Sequence, residues 1–170
     1  MFMFLNLDCV LAVPADALGP RGNGTIGLRR LERLLGASPE CSVIITGDRR
    51  YRMTLQHFRG FFSPAFRQRL IATTLIYPSE ARGRMTRLNE VNDWLVHTSS
   101  SAEDWLALDN CPDDYARAPH RLVYCETLTE KVASVLGAAL LHRSDRAEID
   151  IAPVSALLAA PANGAVLHVR

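Results

Sequence analysis

The sequence predicts an open three-layer α/β domain with a mainly parallel sheet, and three observations carry that expectation. Short apolar runs rich in β-branched and aromatic residues alternate with segments of helical spacing along most of the 170 residues. These runs have little of the polar alternation of a half-exposed strand, which is the pattern of strands covered on both faces. Each run gives way to turn-forming or polar residues before the next helical segment, so crossover helices return the strands in one direction.

The first run, residues 1–7 (MFMFLNL), reads as a strand. A loop holding Pro14, Gly19, Pro20, Gly22 and Gly24 follows, after which Thr25 is placed to cap a helix with Ile26, Leu28, Leu31, Leu34 and Leu35 on its apolar face, ending near Gly36. Residues 41–46 (CSVIIT) form a second strand, and residues 51–62 a helix with Leu55, Phe58 and Phe62 as core candidates. A short helix over 64–69 leads to a third strand over 70–77. Residues 86–97 are the clearest later helix, with Leu88, Val91, Trp94 and Leu95 on one side. A fourth strand over 105–108 runs into Asp109 and Asn110, a fifth covers 121–125, and a last helix over 129–141 is capped by Thr129. Residues 1–142 are therefore expected to form the domain. Residues 143–170 break the rhythm, with a polar RSDRAEID stretch and an Ala- and Pro-rich segment before AVLHV, and are expected to pack on it as an extension or to be partly flexible.

Bulk composition narrows the function classes. With 48% hydrophobic and 22% charged residues, the chain is globular. Its net charge of +1 offers no broad field for nucleic acid or a membrane surface. The opening apolar stretch has no basic residue before it and is interrupted by Asn6 and Asp8, so it is not expected to be a signal peptide. No stretch approaches the roughly 18 apolar residues of a membrane span. Cysteines 9, 41, 111 and 125 form no CxxC pair, which argues for free thiols in a reducing cytoplasm. None of the five histidines belongs to a metal motif.

In a sheet of this class, ligands bind beyond the carboxyl ends of the strands. Gathered there are Asn6 and Asp8 after the first strand, Thr46, Gly47 and Asp48 after the second, and Asp109 and Asn110 after the fourth. The period-two alternation of strand side chains predicts that Asn6 and Asp8 face one crevice together. Arg49, Arg50 and Arg52 read as a solvated helix start.

The ordered set LNLDCVL, VIITG and LALDN, with basic residues between the second and third, resembles the haloacid dehalogenase superfamily of phosphohydrolases. VIITGDRRYRMTLQHFR, an Arg-rich helix and WLALDN are similar to the small bacterial branch whose domains also occur beside RNA-repair modules. The resemblance covers roughly residues 1–141 and implies a Rossmann-like fold with strand order 5-4-1-2-3. It implies a phosphate cleft in which Asp8 is the acid/base and a magnesium ligand. Thr46, with Gly47 beside it, holds the phosphate. Arg84, or else Arg82 or Arg87, supplies the basic group, and Asp109 with Asn110 helps hold Mg2+. Asn6 stands where the family has its nucleophilic aspartate. A neutral amide oxygen is a poor nucleophile, and the exchange also removes a carboxylate from the magnesium site. Asn110 removes a second charge where another acid is often found, and Cys9 replaces a usual glycine.

Two readings follow. One is a degenerate or very slow magnesium-dependent phosphohydrolase acting on a small phosphorylated molecule. The other is a non-catalytic binding or interaction protein that reuses the scaffold. On the implied strand order, Cys9, Cys111 and Cys125 follow neighbouring strands, close enough for a redox bridge or soft-metal capture, with three separately buried thiols as the alternative.

Overall fold

The computed structural model describes residues 1–11, 24–76, 86–98 and 104–144. Strands β1 (Phe2–Asn6), β2 (Ser42–Thr46), β3 (Leu70–Thr73), β4 (Trp105–Asp109) and β5 (Leu122–Tyr124) make one sheet, ordered β3-β2-β1-β4-β5. Every pairing is parallel, and β1 lies at the centre between β2 and β4. The order is the expected one, read from the opposite edge.

Two apolar layers sandwich the sheet. Met3, Leu5, Val43, Ile45, Leu106 and Leu108 face one side, where they pack with Leu28, Leu31 and Leu35 of α2 (Gly24–Gly36), Phe58 of α3 (Leu55–Phe61) and Leu136 and Leu140 of α6 (Glu130–Ser144). Phe4, Ile44, Trp105 and Ala107 face the other side against Leu88, Val91, Trp94 and Leu95 of α5 (Thr86–His97). Phe4 sits edge-on to both tryptophans, with ring centroids 5.6 Å from Trp94 and 5.7 Å from Trp105. The strict alternation has a consequence for the site. Two residues beyond Phe4, Ile44 and Ala107 come Asn6, Thr46 and Asp109, which therefore point to the α5 side.

Several boundaries depart from the sequence reading, each for a local reason. Residues 51–62 do not form one helix. A 3₁₀ turn (Asp48–Tyr51) comes first, and α3 starts only after Thr54, whose hydroxyl accepts from the His57 N–H at 3.4 Å while its own N–H donates to His57 Nδ1 at 3.2 Å. Leu55, the first residue of α3, is only half-buried. The short α4 covers Pro64–Arg67. Helix α2 begins at Gly24, so Thr25 lies inside its first turn, and Ile26 is 46% exposed at the end of the stripe. The β3 strand ends at Thr73, and Tyr77 lies outside the described residues. Thr129 does cap α6, accepting from the Val132 N–H at 3.3 Å, and the helix continues past residue 142 to Ser144. The remainder of the expected extension, 145–170, lies outside the described residues.

One glycine sets the close approach of two helices. A Cβ at Gly27 would lie 2.1 Å from the Val10 carbonyl oxygen in α1 (Asp8–Leu11), so α2 can cross there only because the side chain is absent.

Candidate functional site

The site forms where β1, β2 and β4 end and the first turn of α5 comes over them. Asp109 is its hub, with no exposed surface. Its Oδ1 accepts from Arg87 at 2.8 Å, from Asn6 Nδ2 at 3.2 Å, and from the backbone N–H groups of Asn110 at 2.7 Å and Cys111 at 3.1 Å. Its Oδ2 accepts from Arg87 at 2.7 Å and from the Tyr115 hydroxyl at 3.5 Å. Arg87 also faces Asp114 at 3.5 Å and Asp48 at 3.8 Å. Burial alone would make the Arg87 guanidinium easier to deprotonate, but the Asp109 charge and hydrogen bonds outweigh it and push its pKa up. Burial raises the Asp114 carboxyl, with Arg87 opposing, and holds the Tyr115 phenol well above its usual range.

Asn6, 2% exposed, uses every polar atom of its side chain. Nδ2 donates to Asp109 and, at 3.0 Å, to Asn110 Oδ1, while Oδ1 accepts the Asp8 N–H at 3.2 Å. That last bond explains how Asp8 reaches the rim, and it corrects the expectation of a shared strand face. The strand ends at Asn6, Leu7 turns into the core, and Asp8 opens α1 on an Asx-type turn made by Asn6. The Asp8 carboxylate is half-exposed and ion-paired with Arg49 Nε. Both residues border a cavity of about 590 Å³ lined also by Asp48, Tyr51, Arg52 and Met53.

Thr46 is in register with Asn6 on the neighbouring strand. It is 1% exposed, and its hydroxyl has no hydrogen-bond partner among the described residues. An unmatched buried hydroxyl is uncommon and marks a place where a ligand or a water would be welcome. Gly47 follows with φ 82 and ψ 171, a conformation open essentially to glycine alone. A Cβ there would lie 2.5 Å from Asn6 Oδ1.

The structure thus brings together Asn6, Asp8, Thr46, Gly47, Arg87, Asp109 and Asn110. Arg82 and Arg84 lie outside the described residues. The reading of Arg50 as solvated is corrected: it is 5% exposed, donates to the Gly47 and Leu75 carbonyls, and is ion-paired with Glu90, itself 1% exposed. This pair joins the loop after β2 to α5, three residues along from Arg87. The signal was available, because Glu90 is an acid within the buried stripe Leu88, Val91, Trp94 and Leu95, and such a charge needs a partner. Tyr115 was also missed, and no local pattern in the sequence marks it.

All four cysteines are free. Cys9 and Cys125 are buried together, with Cys125 Sγ 3.8 Å from the Cys9 carbonyl, and hydrogen bonding to Cys125 together with burial pushes the Cys9 thiol up. Cys111 is partly exposed, its Sγ 3.5 Å from Asn110 Oδ1.

The magnesium expected from the family does not fit this donor set. Both oxygens of Asp109 are filled by protein donors, Asn6 and Asn110 are neutral, and among the described residues no group of three or more His, Cys, Asp or Glu is placed to hold an ion. Among the described residues, no helix is long and apolar enough to cross a membrane.

No curated protein and no solved structure matches the chain. A family model described as the HAD domain in Swiss Army Knife RNA repair proteins matches residues 3–132, a span that contains every site residue above. The parallel sheet, the rim where β1, β2 and β4 end and the span of that match agree, and the chain belongs to this family of haloacid-dehalogenase-like domains.

Proposed function

We propose that this domain holds a phosphate group at the rim of its sheet and has lost ordinary phosphohydrolase turnover. The observation that carries the reading is the bonding of Asn6. Forming an acyl phosphate on the side chain at this position requires a carboxylate oxygen aimed into the cleft. Here the group is an amide whose oxygen is occupied by the Asp8 N–H and whose nitrogen ties β1 to Asp109 and Asn110. The position has become a cross-link of the rim.

What supports retained binding is the Thr46 hydroxyl, buried without a partner among the described residues next to the extended positive-φ backbone of Gly47. Arg52, at the adjoining cavity, supplies positive charge for an anionic ester, beside the ion pair of Arg49 with Asp8. Asp8 keeps its carboxylate at the cavity edge, which favours a second reading of very slow hydrolysis over a purely structural scaffold. The family description points to RNA, so a phosphorylated RNA end is the ester to test beside inorganic phosphate.

The experiment is a titration of the full chain, followed by amide NMR, with inorganic phosphate and with a short oligoribonucleotide carrying or lacking a terminal phosphate. Localised shifts at Thr46, Gly47 and Asp48 that require the phosphate, without release of inorganic phosphate over hours, are expected. Sustained, Asp8-dependent release of phosphate at ordinary enzyme rates would refute the loss of turnover. Silence at those amides would refute the binding.

A further inference from the structure

We infer that the rim is closed by a direct amide-to-amide clasp, Asn6 to Asn110, in place of a carboxylate–cation–carboxylate bridge, with Arg87 as the cation that the buried cluster uses among the described residues. The domain therefore works without a divalent metal.

The inference rests on how the atoms pair. Asn6 Nδ2 lies 3.0 Å from Asn110 Oδ1 and 3.2 Å from Asp109 Oδ1, one amide nitrogen with two N–H groups facing two acceptors. Two carboxylates at such distances would repel one another and would need a positive ion between them. An amide paired with an amide supplies a donor for the acceptor and needs none. Position 6 is the decisive one: a carboxylate there would remove the donor and set its lone pairs against Asn110 Oδ1 and Asp109 Oδ1, while a carboxylate at 110 would still accept from Asn6 Nδ2 but add a second negative charge beside Asp109.

The remaining charge is already balanced. Asp109, fully buried in the cluster, receives two guanidinium contacts from Arg87, three further N–H donors from Asn6, Asn110 and Cys111, and the Tyr115 hydroxyl. A hard divalent ion seeks carboxylate oxygens with free lone pairs. Here it would have to displace a guanidinium that is only 11% exposed and break the clasp as well.

The inference stands apart from phosphate binding, so its test uses phosphate-free buffer. Wild type and the Asn6→Asp/Asn110→Asp variant are titrated with Mn2+ while amide signals are followed for local paramagnetic broadening. Thermal melting is recorded with and without Mg2+. Wild type is expected to show no selective broadening at residues 6, 109 and 110 and no Mg2+-dependent rise in Tm. The double variant is expected to melt below wild type in chelator, to recover with Mg2+, and to bind Mn2+ at these residues on the order of tenfold or more tightly than wild type, as added carboxylates dictate. If the double variant does not fold even with metal, Asn110→Asp alone decides, since residue 110 is exposed and its carboxylate is tolerated more easily. Local Mn2+ binding by wild type overturns the inference, as does a folded variant that neither loses stability nor gains metal binding.

Discussion

Arg50→Met removes the guanidinium from a pair whose side chains are 2% and 1% exposed and leaves Glu90 buried, with the Thr74 hydroxyl at 3.4 Å as its remaining hydrogen-bond partner among the described residues. Breaking a buried ion pair from one side costs about 3–5 kcal/mol, because the surviving charge is neither solvated nor matched. That is a large part of the roughly 5–15 kcal/mol that holds a domain folded. The loss has a signature in pH. Burial already raises the Glu90 pKa above its ordinary 4.5, and Arg50 pulls it back down. Without Arg50 it rises further. A carboxyl whose pKa is higher in the folded than in the unfolded state contributes stability that is fully present below the unfolded value and lost as pH climbs through the folded one. The deficit of the variant should therefore be smallest near the unfolded value of about 4.5 and grow toward neutrality. Urea denaturation followed by circular dichroism at several pH values measures it. Arg50→Met/Glu90→Leu should recover most of the loss, since a matched apolar pair leaves no charge behind. A deficit under about 1 kcal/mol, or one that does not change with pH, would show that the pair does not carry the charge balance assigned to it.

Two further substitutions examine the rim. Thr46→Val deletes a hydroxyl that has no partner among the described residues, so stability should stay within about 1 kcal/mol of wild type in urea, while the phosphate-dependent amide shifts disappear. Gly47→Ala forces a side chain into a φ of 82 and toward Asn6 Oδ1; it should cost about 1–3 kcal/mol and shift the Asn6 side-chain amide signals even without ligand.

The layers were legible because apolar runs and helical stripes are local patterns, whereas the strand order came with the resemblance of LNLDCVL, VIITG and LALDN to the family and not from any local pattern. The expectation that Asn6 and Asp8 share a strand face assumed that the alternation continues. It stops at Asn6, because that side chain accepts the Asp8 N–H and bends the chain into α1. Arg50 looked solvated beside Arg49 and Arg52, since nothing in a run of arginines shows which one meets an acid 40 residues later. Its partner was the more readable half: Glu90 interrupts an apolar stripe. Asp109 was placed correctly at the edge, yet its saturation by Arg87 and Tyr115 depends on where α5 and the turn Pro112–Tyr115 fall in space.

The register that sets Asn6 beside Thr46 also separates two kinds of evolutionary constraint. Aspartate and asparagine have nearly the same shape, so a change at the tip of β1 alters reactivity while every apolar contact deeper in the strand stays as it was. A lineage can thus retire or restore an enzyme of this architecture by exchanging oxygen for nitrogen at a couple of rim positions, with the foundation beneath them untouched.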